Sequence, residues 1–208
     1  ARQVGGDFYD FIPLKDGRWG IVIADVADKG VPAALFMALS RTNIRAVAFN
    51  RANPAETLAR VNELLLSDSR SDLFVTVWYG VWNPTTAEIV YASAGHNPPI
   101  LVRNNGQCEE LVARGIALGV ISPVKLDEKR ITLAPGDVLL PYTDGVTEAL
   151  RADGEEFGVL GLQTTAASVR HRSAIDIKQR IVESLDSFTV GTAQFDDLTF
   201  IVLKRLAE

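Results

Sequence analysis

Histidine and cysteine are scarce in this sequence of 208 residues: it has two histidines, His96 and His171, and one cysteine, Cys108. That excludes a histidine-rich metal site, an internal disulfide and a cysteine-based zinc site. A lone thiol suits a reducing cytoplasm, which is the expected location. No apolar run approaches the ~20 residues of a membrane span, and no signal peptide is visible, so no membrane contact is expected of this segment. No basic run occurs, and a net charge of −5 with pI near 5.1 argues against a nucleic-acid partner. No Gly-x-Gly-x-x-Gly follows a strand, and there is neither a Walker-type loop nor a Gly-x-Ser-x-Gly elbow. An initial Met is missing too: the chain opens on Ala1 and is expected to be a piece of a longer protein.

What is present is an ordinary globular composition, 47% hydrophobic and 23% charged, with material for a sizeable core. Residues 5–12 read as a short strand after a glycine bend, 13–18 as a turn signalled by Asp16-Gly17, and 19–25 as a second strand. Pro32 fits the first turn of a helix over 33–49. The first half of that helix is apolar nearly all round, so it is expected to be buried. Asn53-Pro54-Ala55-Glu56 is a capped helix start, followed by a stripe of Leu58, Val61, Leu64 and Leu65. Three hairpins are expected: 73–82 with 87–94, 100–102 with 107–112, and 129–133 with 138–143 across Ala134-Pro135-Gly136-Asp137. Residues 155–170 read as a helix. Ser173 caps another, with Ile177, Ile181, Val182 and Leu185 inward, and 198–203 form a closing strand. Strands in hairpins, without a repeated βαβ rhythm, give an α+β fold of antiparallel sheets with helices on their outer faces. One compact domain is the simplest organisation.

Carboxylates at strand ends carry the chemistry. Strand parity puts Trp19, Ile21, Ile23 and Asp25 on one face, so Asp25 continues an apolar face. A carboxylate aimed inward is costly unless it is paired or holds a metal; the bland alternative is an exposed turn residue. A hairpin centred near Asp16 places Asp7 opposite Asp25, and a slip of one residue would reverse the face. Asp144 follows Val138, Leu140 and Tyr142 in phase, and Asp196 precedes Leu198, Phe200 and Val202 in phase. Together these acids would repel one another, and divalent cations relieve such repulsion. All-oxygen ligands suit Mg²⁺ or Mn²⁺, and two such ions can clamp a phosphoryl group and activate a bridging water.

Five motifs, in order along nearly the whole chain, carry a resemblance: Gly5-Gly-Asp7-Phe-Tyr-Asp10, Asp25-Val-Ala-Asp-Lys-Gly30-Val-Pro-Ala-Ala34-Leu, Ala94-Gly-His-Asn-Pro-Pro99, Tyr142-Thr-Asp144-Gly-Val-Thr-Glu-Ala149 and Asp196-Asp-Leu-Thr-Phe-Ile. Together they resemble the PPM-type (type 2C) metal-dependent serine/threonine phosphatases, in their bacterial SpoIIE/RsbU branch. The resemblance implies a four-layer α-β-β-α sandwich and a dinuclear Mn²⁺ or Mg²⁺ centre. Residues 1–208 would be one such domain, lacking its N-terminal strand and belonging to a longer multidomain chain. Asp25 matches the bridging ligand, the Val26 carbonyl a backbone ligand, and Asp7, Asp144 and Asp196 the other acidic ligands. Asp197 stands where many relatives carry Asn. The implied reaction is hydrolysis of phosphoserine or phosphothreonine on a bacterial signalling protein by a metal-bridged hydroxide. The implied partners are a STAS-type anti-sigma-factor antagonist as substrate, an N-terminal sensor or receiver module, and a second copy in a homodimer.

The sequence departs from the family pattern in places. Ala27 stands where eukaryotic members often carry the histidine proposed to protonate the leaving group, so the acid is solvent or another group. Arg2 lies near the place of a phosphate-binding arginine. His96 has two readings, a general acid or a residue holding its loop through a ring hydrogen bond. Lys29 reads as a solvated turn residue, and Gly30 as the supplier of an unusual backbone angle. Gly115 to Gly119 is either a loop over the site or a hairpin turn. The helix opening near Pro32 is either a core helix or a regulatory element, with Phe36 and Met37 as its probes. Two rivals to the phosphatase stand: a weak or inactive binding domain of the same fold, and a structural domain holding Ca²⁺, which the absence of EF-hand spacing weakens.

Overall fold

The computed structural model describes residues 5–49, 53–68, 73–194 and 196–206. They fall into two units, one comprising the described residues up to Pro98 with Val112–Thr132, the other Pro99–Leu111 and the described residues from Leu133 onward.

The first unit is built on strands β1 (Phe8–Pro13), β2 (Trp19–Val26), β3 (Val75–Asn83), β4 (Glu88–Ala94) and β7 (Glu128–Thr132), hydrogen-bonded antiparallel in that order. Helices α1 (Val31–Ala48) and α2 (Pro54–Asp68) pack on one face. Asn53 caps α2 by accepting the Glu56 N–H through its side-chain oxygen at 2.9 Å. Alternation assigns the faces. Val22, Ala24 and Val26 of β2 and Val75, Val77, Tyr79 and Val81 of β3 join Phe36, Ile44, Leu58, Val61 and Leu65 in the helix-side core. Ile21, Ile23 and Trp78 occupy the other face and are also buried. There the Trp78 ring lies over Gly80, where a Cβ would meet it at 2.4 Å, and leans on Tyr91 at 5.7 Å between ring centroids.

α1 differs from expectation. Ala33, Phe36, Ser40, Ile44 and Ala48 are buried, but Val31 is 66% and Leu35 68% exposed. Helical periodicity gives only one stripe of α1 to the sheet, whatever the composition of the rest.

The second unit is a sheet of β6 (Cys108–Glu110), β5 (Ile100–Val102), β8 (Val138–Leu140) and β9 (Leu203–Lys204), antiparallel in that spatial order. With it come α3 (Asp144–Thr147), α4 (Gly158–Val169) and α5 (Ala174–Phe188). Ser173 caps α5 by accepting the Asp176 N–H, and Ile177, Ile181 and Leu185 are buried against Ile100, Val102, Val138, Leu140 and Leu162. Each such side chain contributes ~1.5–3 kcal/mol on burial.

The third expected hairpin does not form. β7 pairs with β4, and β8 with β5 and β9. The turn itself exists, with the Asp137 N–H donating to the Ala134 carbonyl at 3.0 Å. The buried Asp137 carboxylate accepts from Arg103 (2.9 Å), the Asn104 N–H (2.9 Å) and the Ala134 N–H (2.8 Å). Those bonds tie the turn to the β5–β6 connection, so the chain leaves it into the other sheet. The closing strand is also shorter than expected: β9 is preceded only by an isolated bridge between Tyr142 and Phe200.

Candidate active site

The β1–β2 register runs from Phe8 opposite Ala24 to Pro13 opposite Trp19, so one step further Asp7 stands opposite Asp25. Both lie on the face turned away from α1 and α2. Asp25 is partly buried at the end of β2, in phase with the buried Ile21 and Ile23. Gly6 closes this corner. A Cβ on it would lie 2.8 Å from the Val26 carbonyl oxygen and 3.5 Å from an Asp25 carboxylate oxygen. Only glycine admits that approach without displacing the carbonyl. Beyond Val26 the chain turns through exposed Asp28 and Lys29 to Gly30, whose φ of 91° is left-handed and which has open space around it. The backbone angle, not crowding, therefore calls for glycine there, and Lys29 is an exposed turn residue.

In the second unit Asp144 opens α3 behind Thr143. Gly145 is pressed against the 196–197 segment: a Cβ would meet the Asp197 carbonyl at 2.1 Å and the Asp196 Cβ at 3.3 Å. Asp144, Asp196 and Asp197 thus belong to one corner. The strand-parity argument for Asp144 and Asp196 does not hold. Val138, Leu140, Tyr142, Phe200 and Val202 face the helix-side core of this unit. Asp144 escapes that face because the chain has already become helical, and Asp196 because no strand is formed at 196–202. A residue absent from the expected set joins them. Partial desolvation first, then the negative charges of Asp144, Glu156 and Asp196, push the carboxyl of the exposed Glu148 above its usual range. Its position four residues after Asp144, on one helical turn, was the available signal.

His96 is buried, with Nδ1 2.9 Å from the Thr76 hydroxyl oxygen. Ser93 ties its backbone from both sides, accepting the His96 N–H and donating to the His96 carbonyl, each at 3.2 Å. The ring-anchored reading of His96 matches this geometry. Thr76 sits directly across from Asp25 in the β2–β3 register, a relation that the sequence offered no way to see.

Asp10 lies on the opposite face from Asp7. It is buried and takes Arg45 at 2.8 Å and Arg41 at 3.3 Å, which clamps β1 to α1. Residues 115–119 are irregular apart from one bridge: Leu118 is fully buried and exchanges two backbone hydrogen bonds with Val75. Ala27 donates its N–H to the Phe74 carbonyl at 3.0 Å. Arg2 lies outside the described residues.

The structure thus brings together Asp7, Asp25 and the Val26 carbonyl in one unit, and Asp144, Asp196 and Asp197 in the other. Among the described residues, no three His, Cys, Asp or Glu side chains form a ready-made metal cage. The donor chemistry fits hard divalent cations nonetheless. Every donor is oxygen, glycine keeps the Val26 carbonyl approachable, and the acids around Glu148 carry the repulsion that a cation relieves. No described helix is long and apolar enough to cross a membrane.

Residues 15–206 match the family Stage II sporulation protein E (SpoIIE). The chain is 30% identical to phosphoserine phosphatase RsbU of Bacillus subtilis over 99% of its own length, and spans 61% of that protein. It is similar to the solved RsbU and RsbW domains of a Mycobacterium tuberculosis protein, with 29% identity, a TM-score of 0.80, and coverage of 98% of this chain and 56% of that one. The SiaA-PP2C domain of Pseudomonas aeruginosa shares the fold at a TM-score of 0.87 with 22% identity, covering 97% and 81% of the two chains. RsbX, solved in complex with magnesium, shares it at 0.69 with 20% identity, covering 96% and 86%. Two antiparallel sheets flanked by helices are the architecture common to these structures, and this chain belongs to the SpoIIE family of PP2C-type phosphatase domains.

Proposed function

We propose that this chain is a metal-dependent protein phosphatase that hydrolyses phosphoserine or phosphothreonine on a bacterial signalling protein. The observation that carries the proposal is the corner where Asp7 faces Asp25 across β1–β2 while Gly6 leaves the Val26 carbonyl approachable. Asp7, Asp25 and the Val26 carbonyl, with Asp144, Asp196 and Asp197, would hold two Mn²⁺ or Mg²⁺ ions, Asp25 serving both. When bound, such a pair supplies an activated bridging water as nucleophile and neutralises the phosphoryl oxygens. The carboxylates fix the charge and position of that centre, and the sheet holds Asp25 and Asp7 in register. No side chain needs to act as a covalent nucleophile. Ala27 cannot donate a proton, so solvent or another group would supply it to the leaving serine oxygen.

We further propose a phosphorylated STAS-type antagonist as the substrate. RsbU carries the name phosphoserine phosphatase, and the M. tuberculosis chain holds an RsbU and an RsbW domain together. In a longer cytoplasmic protein, residues 1–208 would be the catalytic domain, controlled by an N-terminal sensor or receiver module and paired in a homodimer.

The test is release of phosphate from a phosphoserine peptide with Mn²⁺ or Mg²⁺ and with a chelator. Turnover that requires the ion supports the proposal. Full turnover in chelator would sink the two-ion mechanism, and no turnover with either ion would favour a non-catalytic binding domain.

A further inference from the structure

We infer that His96 is a positioning residue for Asp25, acting through the Thr76 hydroxyl. The inference deepens the proposed function and rests on Asp25 being a ligand in it. Thr76 is the cross-strand partner of Asp25. Directly opposed residues of an antiparallel pair project to the same face, so the Thr76 hydroxyl is on the carboxylate side of Asp25. That hydroxyl donates to the Asp25 carbonyl at 3.4 Å. The same hydroxyl oxygen stands 2.9 Å from His96 Nδ1, so it joins the ring to the end of β2. The ring is held in turn, because Ser93 grips the His96 backbone at both its N–H and its carbonyl.

What the chain of bonds controls is the peptide between Asp25 and Val26. The Asp25 carbonyl belongs to that peptide. Its orientation sets where the Asp25 side chain leaves the strand and where the Val26 carbonyl points. The sheet alone leaves this segment near its end: β2 stops at Val26, and the next ladder bond is Ala27 to Phe74. A buried ring and a hydroxyl at that point give the strand end a second anchor on the face that carries the carboxylate. The usual role of a histidine beside a metal site, direct ligation, is not needed for this route, which runs from the ring through the Thr76 hydroxyl to the Asp25 backbone.

The experiment is calorimetric Mn²⁺ binding, with turnover on a phosphoserine peptide, for wild type and five variants: His96→Leu, His96→Asn, Thr76→Val, Thr76→Ser and the His96→Leu, Thr76→Val pair. Outer partners of a metal ligand typically govern ~10–100-fold in affinity, and a contact made through a backbone carbonyl belongs at the low end. His96→Leu and Thr76→Val should each weaken Mn²⁺ binding ~10-fold and lower kcat with KM for the peptide unchanged. The double variant should bind no more weakly than either single one, because both break the same chain. Thr76→Ser keeps the hydroxyl, and His96→Asn keeps a hydrogen-bonding group near the Nδ1 position; both should restore most of the affinity. Should His96→Leu fail to fold, the Thr76→Val and Thr76→Ser pair decides alone. Single variants that bind Mn²⁺ as wild type does, whatever their melting temperatures, overturn the inference, as do losses that add in the double variant. A wild-type protein that binds no Mn²⁺ overturns the metal reading and this inference with it.

Discussion

Gly6 lies against the Val26 carbonyl so closely that a Cβ on the glycine would stand 2.8 Å from the oxygen. Gly6→Ala must therefore push that carbonyl or the β1 entry aside. Overpacking of this kind costs about 1–3 kcal/mol. If Val26 is a ligand, Mn²⁺ affinity should fall with it, by about tenfold, since an outer-shell loss already costs ~10–100-fold. A calorimetric titration of the alanine variant checks this, and unchanged Mn²⁺ affinity would remove the Val26 carbonyl from the ligand set.

Asp10 is expected to matter for folding and not for metal. It is buried on the α1 side of β1 and held by Arg45 and Arg41. Asp10→Asn should lower unfolding free energy by about 1.5–3 kcal/mol, the range for hydrogen bonds to charged groups, while Mn²⁺ affinity stays as in wild type. Loss of Mn²⁺ binding in a folded Asp10→Asn protein would contradict its assignment to the helix side.

In α1, neighbouring residues should behave in opposite ways. Phe36 is buried in the helix-side core, and Leu35 is 68% exposed. Phe36→Ala should cost about 3–5 kcal/mol, whereas Leu35→Ala should stay within about 0.5 kcal/mol. Denaturant unfolding of both variants measures the contrast. Phe36 is consequently a poor probe of regulation by another module. If α1 is a regulatory element, the exposed Val31 and Leu35 are the residues to change.

Much of this was legible in the sequence where a local signal had a local consequence. The Asp16-Gly17 turn fixed the hairpin centre and hence the Asp7–Asp25 opposition. Asn53 and Ser173 marked two helix starts, and the period of Ile177, Ile181 and Leu185 marked a buried face. The failures have a common physical origin in long-range pairing. A four-residue turn at Ala134–Asp137 looks the same whether the chain returns along its own sheet or enters another, and the Arg103 and Asn104 contacts that decide it are more than thirty residues away. Parity put Asp25 on the face of Ile21 and Ile23, where β2 holds it, but was carried past the ends of regular strand for Asp144 and Asp196. Thr76 was invisible because its relation to Asp25 exists only in the β2–β3 register.

On the exposed surface, Asp153 offers a test in the acid range. Hydrogen bonds from the Arg151 side chain and then the Glu155 backbone hold its carboxyl down at about 2, below the ordinary 3.8. A depressed folded value contributes stability above the unfolded value, and that contribution is lost as pH falls through about 2. Full exposure screens the effect, so the titration itself is the readout. Arg151→Met should return the Asp153 carboxyl, followed by NMR, toward 3.8, and an unmoved titration would contradict the arginine as its main cause.

The most direct measurement is turnover of a phosphoserine peptide by Asp25→Asn at saturating Mn²⁺, beside wild type and Asp28→Asn. Asparagine keeps the shape of Asp25 and removes the charge that both ions would share. Asp28 is exposed in the turn beyond β2 and serves as the control. Asp25→Asn should abolish detectable turnover. In chelator it should melt no lower than wild type, since one charge facing Asp7 has gone. Asp28→Asn should turn over as wild type does. Comparable rates for Asp25→Asn and wild type would contradict the assignment of Asp25 as the shared ligand, and with it the two-ion reading of the site.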